Sequence, residues 1–394
     1  MPKHTLILAG TLPQHAKPLP PFSPIVLNFF QALSEELRRP AWINDDPAWF
    51  ALGFWLRKKH IESFYPYLTL PEKRLGRGIV FHITPTNMPT MFFYSFAISL
   101  LAGNNNIVRL SPRLVQTTRP FLDLVQSLWQ QKPFQALSET NVFLSYERQK
   151  ELTDMYSQCC DVRLIWGGNA TIQNIRMSPL PPQSLELVFA DRYSLAIFDA
   201  ATILGFSQDE LRNWIHRFYL DSYEADQNAC SSPKLIFWIS PTSTLANQAQ
   251  RRWWQALLTE TDAYDLAPIK VSQKYTDAWS FSMEYPEIST CMRLKNDIYV
   301  YTLHELPTDL PVLSGIFGQF FQITVPSVEL LIPYLSKKIQ TISTIGISPI
   351  QLREALQKRH ILGVDRIVPT GQALTMDVIW DGTNLLDFLS RIIS

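Results

Sequence analysis

Two parallel α/β domains are the architecture this sequence predicts, and three observations predict it. Short apolar runs with strand character recur along the chain, among them "GIVFHIT", "NIVRLS", "NVFLSY" and "VRLIW". Between them lie amphipathic stretches long enough to cross back over a sheet, the pattern of βαβ units with helices on both faces. The chain has 394 residues, more than one core ordinarily serves, so two domains of roughly 150–200 residues are expected. The division is placed after residue 200, giving domains over 1–200 and 201–394.

Each element follows from its local pattern. "IVLNFFQALSEELRR" and "PAWFALGFWLRKKHIESFY" carry apolar residues at three-to-four spacing, so the first 75 residues read as helical. From Gly78 the rhythm changes to a buried strand, "GIVFHIT", followed by the helix "NMPTMFFYSFAISLLAG". Pro89 sits near its first turn and Gly103 closes it. "NIVRLS" is the next strand, then the helix "RPFLDLVQSLWQQ", the strand "NVFLSY", the helix "RQKELTDMYSQC", the strand "VRLIW" and the helix "NATIQNIRM". Beyond residue 200 the helix "SQDELRNWIHRFYLDSYEA" leads into "DQNACSSP" and the strand "KLIFWIS". A second α/β region runs to the end, with "YTLHEL" as a strand and "SPIQLREALQKRH" as a helix. Ligands of such sheets bind at the carboxyl ends of the strands.

Composition narrows the function classes. Basic and acidic residues both total 35 and no charge block stands out, which argues against nucleic acid or an anionic membrane as the main partner. "LILAG" is shorter than a signal-peptide core, and "MFFYSFAISLLAG" falls short of the roughly 20 residues that span a bilayer. Four cysteines without paired spacing point to reduced thiols and a cytoplasmic setting. Cys159 and Cys160 are adjacent and cannot form a CxxC knuckle, and the seven histidines form no HExxH or cluster, so no metal is expected. GxGxxG and GxxxxGK[ST] are both absent, so a dinucleotide would have to bind by another device.

Four segments could carry chemistry, and each has an ordinary reading. In "HITPTNMP", Asn87 could simply cap the helix that follows. "LLAGNNNIVRLSPR" could be a helix stop and a strand with Arg109 and Arg113 solvated. Gly167 and Gly168 in "RLIWGGNATIQNIR" would let a flat ligand approach the backbone, and a tight turn would need them too. Cys230 in "DQNACSSP" has small polar neighbours, unlike a core cysteine, although a lone cysteine is more often structural. Cys159, Cys160 and Cys291 fit the structural reading.

Taken in order, these segments resemble the aldehyde dehydrogenase superfamily, and more narrowly the LuxC-type long-chain acyl-CoA reductases of bacterial bioluminescence. "GIVFHITPTNMP", "SLLAGNNNIVRLSPR", "VRLIWGGNATIQNIR", "DQNACSSP", "IQTIS" and "GVDRIVPTGQALTMDVIWDG" carry the match. The resemblance implies a Rossmann-like cofactor domain over 1–200 and a catalytic α/β domain over 201–394. It implies Cys230 as the nucleophile that becomes acylated by a thioester. Asn87 and the Cys230 backbone N–H would form the oxyanion hole. Thr84, Pro85, Arg109, Ser111, Arg113, Trp166, Gly167 and Gly168 would line the path of a nicotinamide cofactor. Arg109 stands where the superfamily has a ribose-contacting lysine. Pro112 stands where NAD-preferring relatives often carry a carboxylate, and Arg113 lies beside it. Guanidinium suits a 2′-phosphate, so NADPH is the expected coenzyme.

One departure concerns water. Superfamily members that make acids use a glutamate as general base, and the nearest carboxylate here, Glu186 in "SLELVFADRYS", lies two residues out of place. The leading expectation is therefore NADPH-dependent reduction of an acyl thioester to aldehyde. Coenzyme A, an acyl carrier protein or an acyl-protein synthetase-like partner could deliver the acyl group, and a homo-oligomer is compatible with the resemblance. A hydrolytic aldehyde dehydrogenase and a non-redox acyltransferase or acyl-binding scaffold are the competing readings.

Overall fold

The computed structural model describes residues 5–45, 47–86 and 88–394. These divide into two compact units, one holding the chain up to Ala190 together with Met376–Ser394, the other Asp191–Thr375. The division differs from the expected one at residue 200 in two respects. The strand ending at Asp199 opens the second unit, and the C-terminal segment returns to the first. The return has a physical cause: Ser390–Ile392 pairs antiparallel with Arg74–Gly76, and Trp380, Leu385, Leu386 and Leu389 are buried in the first unit's core.

The first unit contains β1 (Leu6–Gly10), β2 (Arg74–Gly76), β3 (Ile79–Ile83), β4 (Asn105–Leu110), β5 (Asn141–Ser145), β6 (Val162–Trp166) and β7 (Leu185–Phe189). Its main sheet has the order β1-β5-β4-β3-β6-β7. β3, β4, β5, β6 and β7 are parallel, and β1 is antiparallel against β5. β3, β5 and β6 are buried throughout, which is why they read as largely apolar runs rather than alternating ones. From β3 the chain steps to β4 and β5 on one side, then continues as β6 and β7 on the other. The strand order therefore reverses between β3 and β6, and the crevice at their carboxyl ends is where an open parallel sheet binds its ligand.

The second unit contains β8 (Tyr193–Asp199), β9 (Pro233–Ile239), β10 (Ile288–Leu294), β11 (Ile298–Leu303), β12 (Gln319–Val325), β13 (Ile339–Ile345) and β14 (Arg366–Pro369). Its sheet runs β10-β11-β12-β9-β8-β13-β14, with only the β10–β11 pair antiparallel. Alternate residues of β9 feed separate cores: Leu235 and Phe237 on one face, Ile236 and Trp238 on the other. Among the described residues no helix is long and apolar enough to cross a membrane.

Candidate active site

The first-unit crevice gathers several of the expected cofactor residues. Thr84 follows β3 directly, is buried, and donates its hydroxyl to the Arg109 carbonyl at 2.9 Å. Pro85 is half-buried next to it, and Asn87 lies outside the described residues. Arg109, on β4, donates through Nη2 to the Tyr146 carbonyl at 3.1 Å, with its guanidinium 5.0 Å from the Tyr146 ring centroid. Its Nε is buried without a partner among the described residues. Ser111 precedes the single turn Pro112–Leu114, on which Arg113 is exposed.

At the end of β6, the Trp166 ring stacks on Phe189 with centroids 3.7 Å apart, and Gly167 N–H donates to the Phe189 carbonyl at 3.1 Å. Gly168 is the N-cap of the helix Asn169–Arg176 with φ −64°. Neither glycine has a positive φ, and a Cβ added to Gly167 would meet Thr171 only at an ordinary 3.4 Å. Packing within the chain thus does not require glycine at Gly167, which fits a site kept open for a close-lying ligand. The orphaned Arg109 Nε–H and this uncrowded turn are the features that suit a phosphate-bearing cofactor.

A buried polar chain supports these strand ends. Trp166 Nε1–H donates to Ser95 Oγ at 3.0 Å, and Ser95 Oγ lies 2.8 Å from His82 Nδ1. His82 Nε2 lies 2.9 Å from Asn106 Oδ1, and Asn106 Nδ2 donates to Asn141 Oδ1 at 2.8 Å. Because Ser95 Oγ accepts from Trp166, its proton goes to Nδ1, so the network assigns His82 as the neutral Nε2–H tautomer. Burial pulls the imidazole down to about 4, with the Asn106 hydrogen bond pulling the other way.

The Cys230 turn belongs to the second unit. The helix Gln208–Ser222 starts on a Ser207/Glu210 capping box, and the chain then turns through Asp226 and Gln227, both left-handed at φ 54° and 59°. Cys230 is half-buried just ahead of β9. Fully buried Gln227 donates Nε2–H to the Pro233 and Gln319 carbonyls at 3.0 and 3.1 Å, and its Oε1 accepts from Gly318 and Gln319 N–H at 3.1 and 3.2 Å. Ser194 Oγ donates to the Cys230 carbonyl at 2.7 Å and accepts from Thr341 N–H at 3.2 Å. Register irregularities in β8 and β13 occur at this point of the sheet. Lys234 is buried and donates Nζ–H to the Gln227 and Gly315 carbonyls at 2.5 and 3.0 Å. A thiol is thus presented on a turn anchored at its carbonyl, its upstream residue and the following strand, the fixed geometry nucleophilic attack requires. Sequence reading missed Gln227, Lys234 and Ser194. A polar residue beside Cys230 reads as solvated, and only the fold shows these three buried.

Glu186 calls for a correction. It is the second residue of β7, in register with Arg163 on β6. Arg163 Nε and Nη2 donate to Oε2 at 2.9 and 2.5 Å, and Arg176 Nε donates to Oε1 at 2.7 Å. Burial alone would raise its pKa, but the hydrogen bonds from Arg176 and Arg163 outweigh it and hold the carboxyl below the usual glutamate value. With both oxygens taken by guanidinium, Glu186 is a structural counter-ion, which argues against the general-base role. Glu186→Gln should cost about 2 kcal/mol, because the Arg163 side chain is 2% exposed and loses its charge partner. Urea unfolding measures this, and the ratio of acid to aldehyde product should not change; a stable variant with an altered ratio would restore the catalytic reading.

The sequence matches the acyl-CoA reductase (LuxC) family over residues 57–392. No curated protein shows a significant match. Among solved structures, an indole-3-acetaldehyde dehydrogenase complexed with NAD+ aligns at 11% identity and TM-score 0.62, covering 94% of this chain and 82% of that one. Lactaldehyde dehydrogenase from Escherichia coli aligns at 10% identity and TM-score 0.62, covering 94% and 86%. Aldehyde dehydrogenase 21 from Physcomitrella patens, in complex with the reaction product succinate, aligns at 10% and 0.64, covering 94% and 85%. At such identities the likeness establishes the fold.

Proposed function

The chain belongs to the acyl-CoA reductase (LuxC) family and is an oxidoreductase on an aldehyde dehydrogenase fold, and from that premise we propose that it reduces an acyl thioester to the aldehyde with NADPH, through an S-acyl intermediate on Cys230. The observation that carries the reading is the anchored Cys230 turn. In this reading the Cys230 thiolate adds to the thioester carbonyl, the carbon–sulfur bond of the donor breaks, and the donor departs as a thiolate that takes a proton from solvent. A nicotinamide coenzyme, when bound, would supply the hydride. The resulting thiohemiacetal anion then collapses as its carbon–sulfur bond breaks, releasing aldehyde and returning the Cys230 thiolate.

The first unit supports the coenzyme assignment. Thr84, Pro85, Arg109, Ser111 and the Trp166–Gly167–Gly168 turn would hold the dinucleotide, and Asn87 would donate to the developing oxyanion. Pro112, where a carboxylate would select against a 2′-phosphate, and exposed Arg113 beside it favour NADPH over NADH. The Arg163–Glu186–Arg176 cluster disfavours the hydrolytic alternative, since Glu186 is not a base available to activate water.

The test uses a labelled acyl-CoA series without coenzyme. A hydroxylamine-sensitive adduct on the Cys230 peptide is expected, and it should discharge as aldehyde when NADPH is added and more slowly with NADH. Acid as the product, or label absent from that peptide, would overturn the proposal. Repeating the series with acyl carrier protein, and with an acyl-protein synthetase, identifies the donor.

A further inference from the structure

Lys234 lies four residues after Cys230, at the start of β9, and is 6% exposed. Its ammonium reaches back to the Gln227 carbonyl, three residues ahead of Cys230, so it bridges the two ends of the segment that carries the thiol. Its other acceptor is the Gly315 carbonyl. An ammonium has three donors and needs an anion when buried, yet among the described residues no carboxylate pairs with Lys234. Burial pulls its pKa down to about 8, and the one charge that opposes this is the Cys230 sulfur.

The other ionisable groups on the elements packed around this turn are committed elsewhere. Asp226 is bound by Lys270 Nζ at 2.8 Å and the Tyr264 hydroxyl at 2.5 Å. Asp221 accepts from Gly371 and Ala373 N–H. The Tyr223 hydroxyl donates to the Asp297 carbonyl and the Tyr193 hydroxyl to the Leu313 carbonyl. Arg192, just before β8, pairs with Asp365, and Glu224 is exposed.

We propose that Lys234 is a positioning residue for Cys230: its buried ammonium supplies the counter-charge that holds the sulfur as the thiolate that attacks the acyl group. The thiol proton goes to solvent and the lysine keeps its own. The role deepens the acyl-enzyme reading and rests on it. A purely structural Lys234, bonded to two carbonyls, would hold the turn equally well without changing how the thiol titrates.

The experiment is the pH profile of Cys230 alkylation by iodoacetamide in the full chain, followed by mass of the Cys230 peptide so that the other cysteines do not interfere. Lys234→Gln should raise the profile midpoint by about one pH unit and slow alkylation at pH 7 by about tenfold, while Lys234→Arg keeps the wild-type midpoint. A folded K234Q protein with the wild-type midpoint would overturn the proposal. Should K234Q not fold, the reciprocal titration decides: the Lys234 ε-carbon resonance should titrate at lower pH in Cys230→Ser than in wild type, and an unmoved titration would overturn it. Acyl labelling is scored separately on the wild type. A shifted midpoint without an acyl adduct would keep the charge pairing but overturn the acyl-enzyme reading, and with it the catalytic role of the pairing.

Discussion

Cys230→Ala is expected to lower coenzyme-dependent aldehyde formation by about 10⁴-fold or more while leaving the unfolding midpoint near that of the wild type. On the proposed acyl-enzyme route, losing Cys230 removes the covalent path altogether, since alanine offers no substitute for sulfur. The fold should tolerate the change because the described anchors hold backbone groups and not the sulfur, and Lys234, left without its counter-charge, can shed its proton, since burial already pulls its pKa down to about 8. Gln227 bonds the backbone of Pro233, Gly318 and Gln319, and Ser194 holds the Cys230 carbonyl. A core cysteine would show the opposite pair of effects, with stability falling by about 1 kcal/mol and turnover largely kept. Buried Cys160, whose thiol burial pushes up to about 12, provides that control: Cys160→Ala should cost stability and spare activity. Steady-state turnover and urea unfolding on both variants separate the two. Substantial turnover by folded Cys230→Ala would sink the nucleophile assignment.

How legible the fold was depended on where each strand lies. The central strands β3, β5, β6 and β9 are buried on both faces, and their apolar runs stand out in the sequence. β1 and β7 are edge strands of the first sheet, and neither is wholly buried. "LILAG" is short, and "LELVF" carries a charge whose counter-ions, Arg163 and Arg176, come from elements distant in sequence. No window around Glu186 could reveal those partners, so its position in the chain suggested chemistry that its contacts do not support. The domain boundary failed for a similar reason. "LLDFLSRI" reads as one more amphipathic stretch, and only its pairing with Arg74–Gly76 assigns it to the first unit.

The site was legible as residue types but not as supports. Cys230 is conspicuous in sequence because small residues flank it, and the Gly167–Gly168 turn because two glycines follow a strand. His82 is different: it sits inside an apolar strand and showed no pattern. It proves to be the middle of a chain from Trp166 through Ser95 to Asn106 and Asn141. A histidine enclosed this way must stay neutral, and that requirement exists only in three dimensions.

The two units should answer pH in opposite directions over the same range. In the first unit the fully buried His82 titrates near 4, against about 6.5 in an unfolded chain. The unfolded state therefore binds the extra proton between those values, so this contribution is complete above about 6.5 and is lost as pH falls through 4, about 3 kcal/mol in all. In the second unit burial pushes Asp221 up to about 7, against hydrogen bonds from Gly371 and Ala373 N–H. Here the folded state binds the extra proton, so the contribution is complete below about 4 and is lost as pH rises through 7, about 4 kcal/mol in all. A global unfolding curve would look nearly flat between these limits because the two slopes cancel. Hydrogen–deuterium exchange, corrected for intrinsic rates, resolves them: peptides of β3 to β6 should lose protection at pH 5, and peptides covering 208–222 and 366–375 should lose it at pH 7.5. Protection moving the same way in both units would refute the assignment, and Asp221→Asn should flatten the second response alone. Asp221 lies on the helix that leads into the Cys230 turn, so its ionisation reaches the thiol through the same segment. The cost of a buried charge on Asp221 above pH 7, which the Gly371 and Ala373 N–H bonds offset only in part, should therefore loosen this segment and lower turnover on the alkaline side, where a more fully ionised thiol would otherwise raise it.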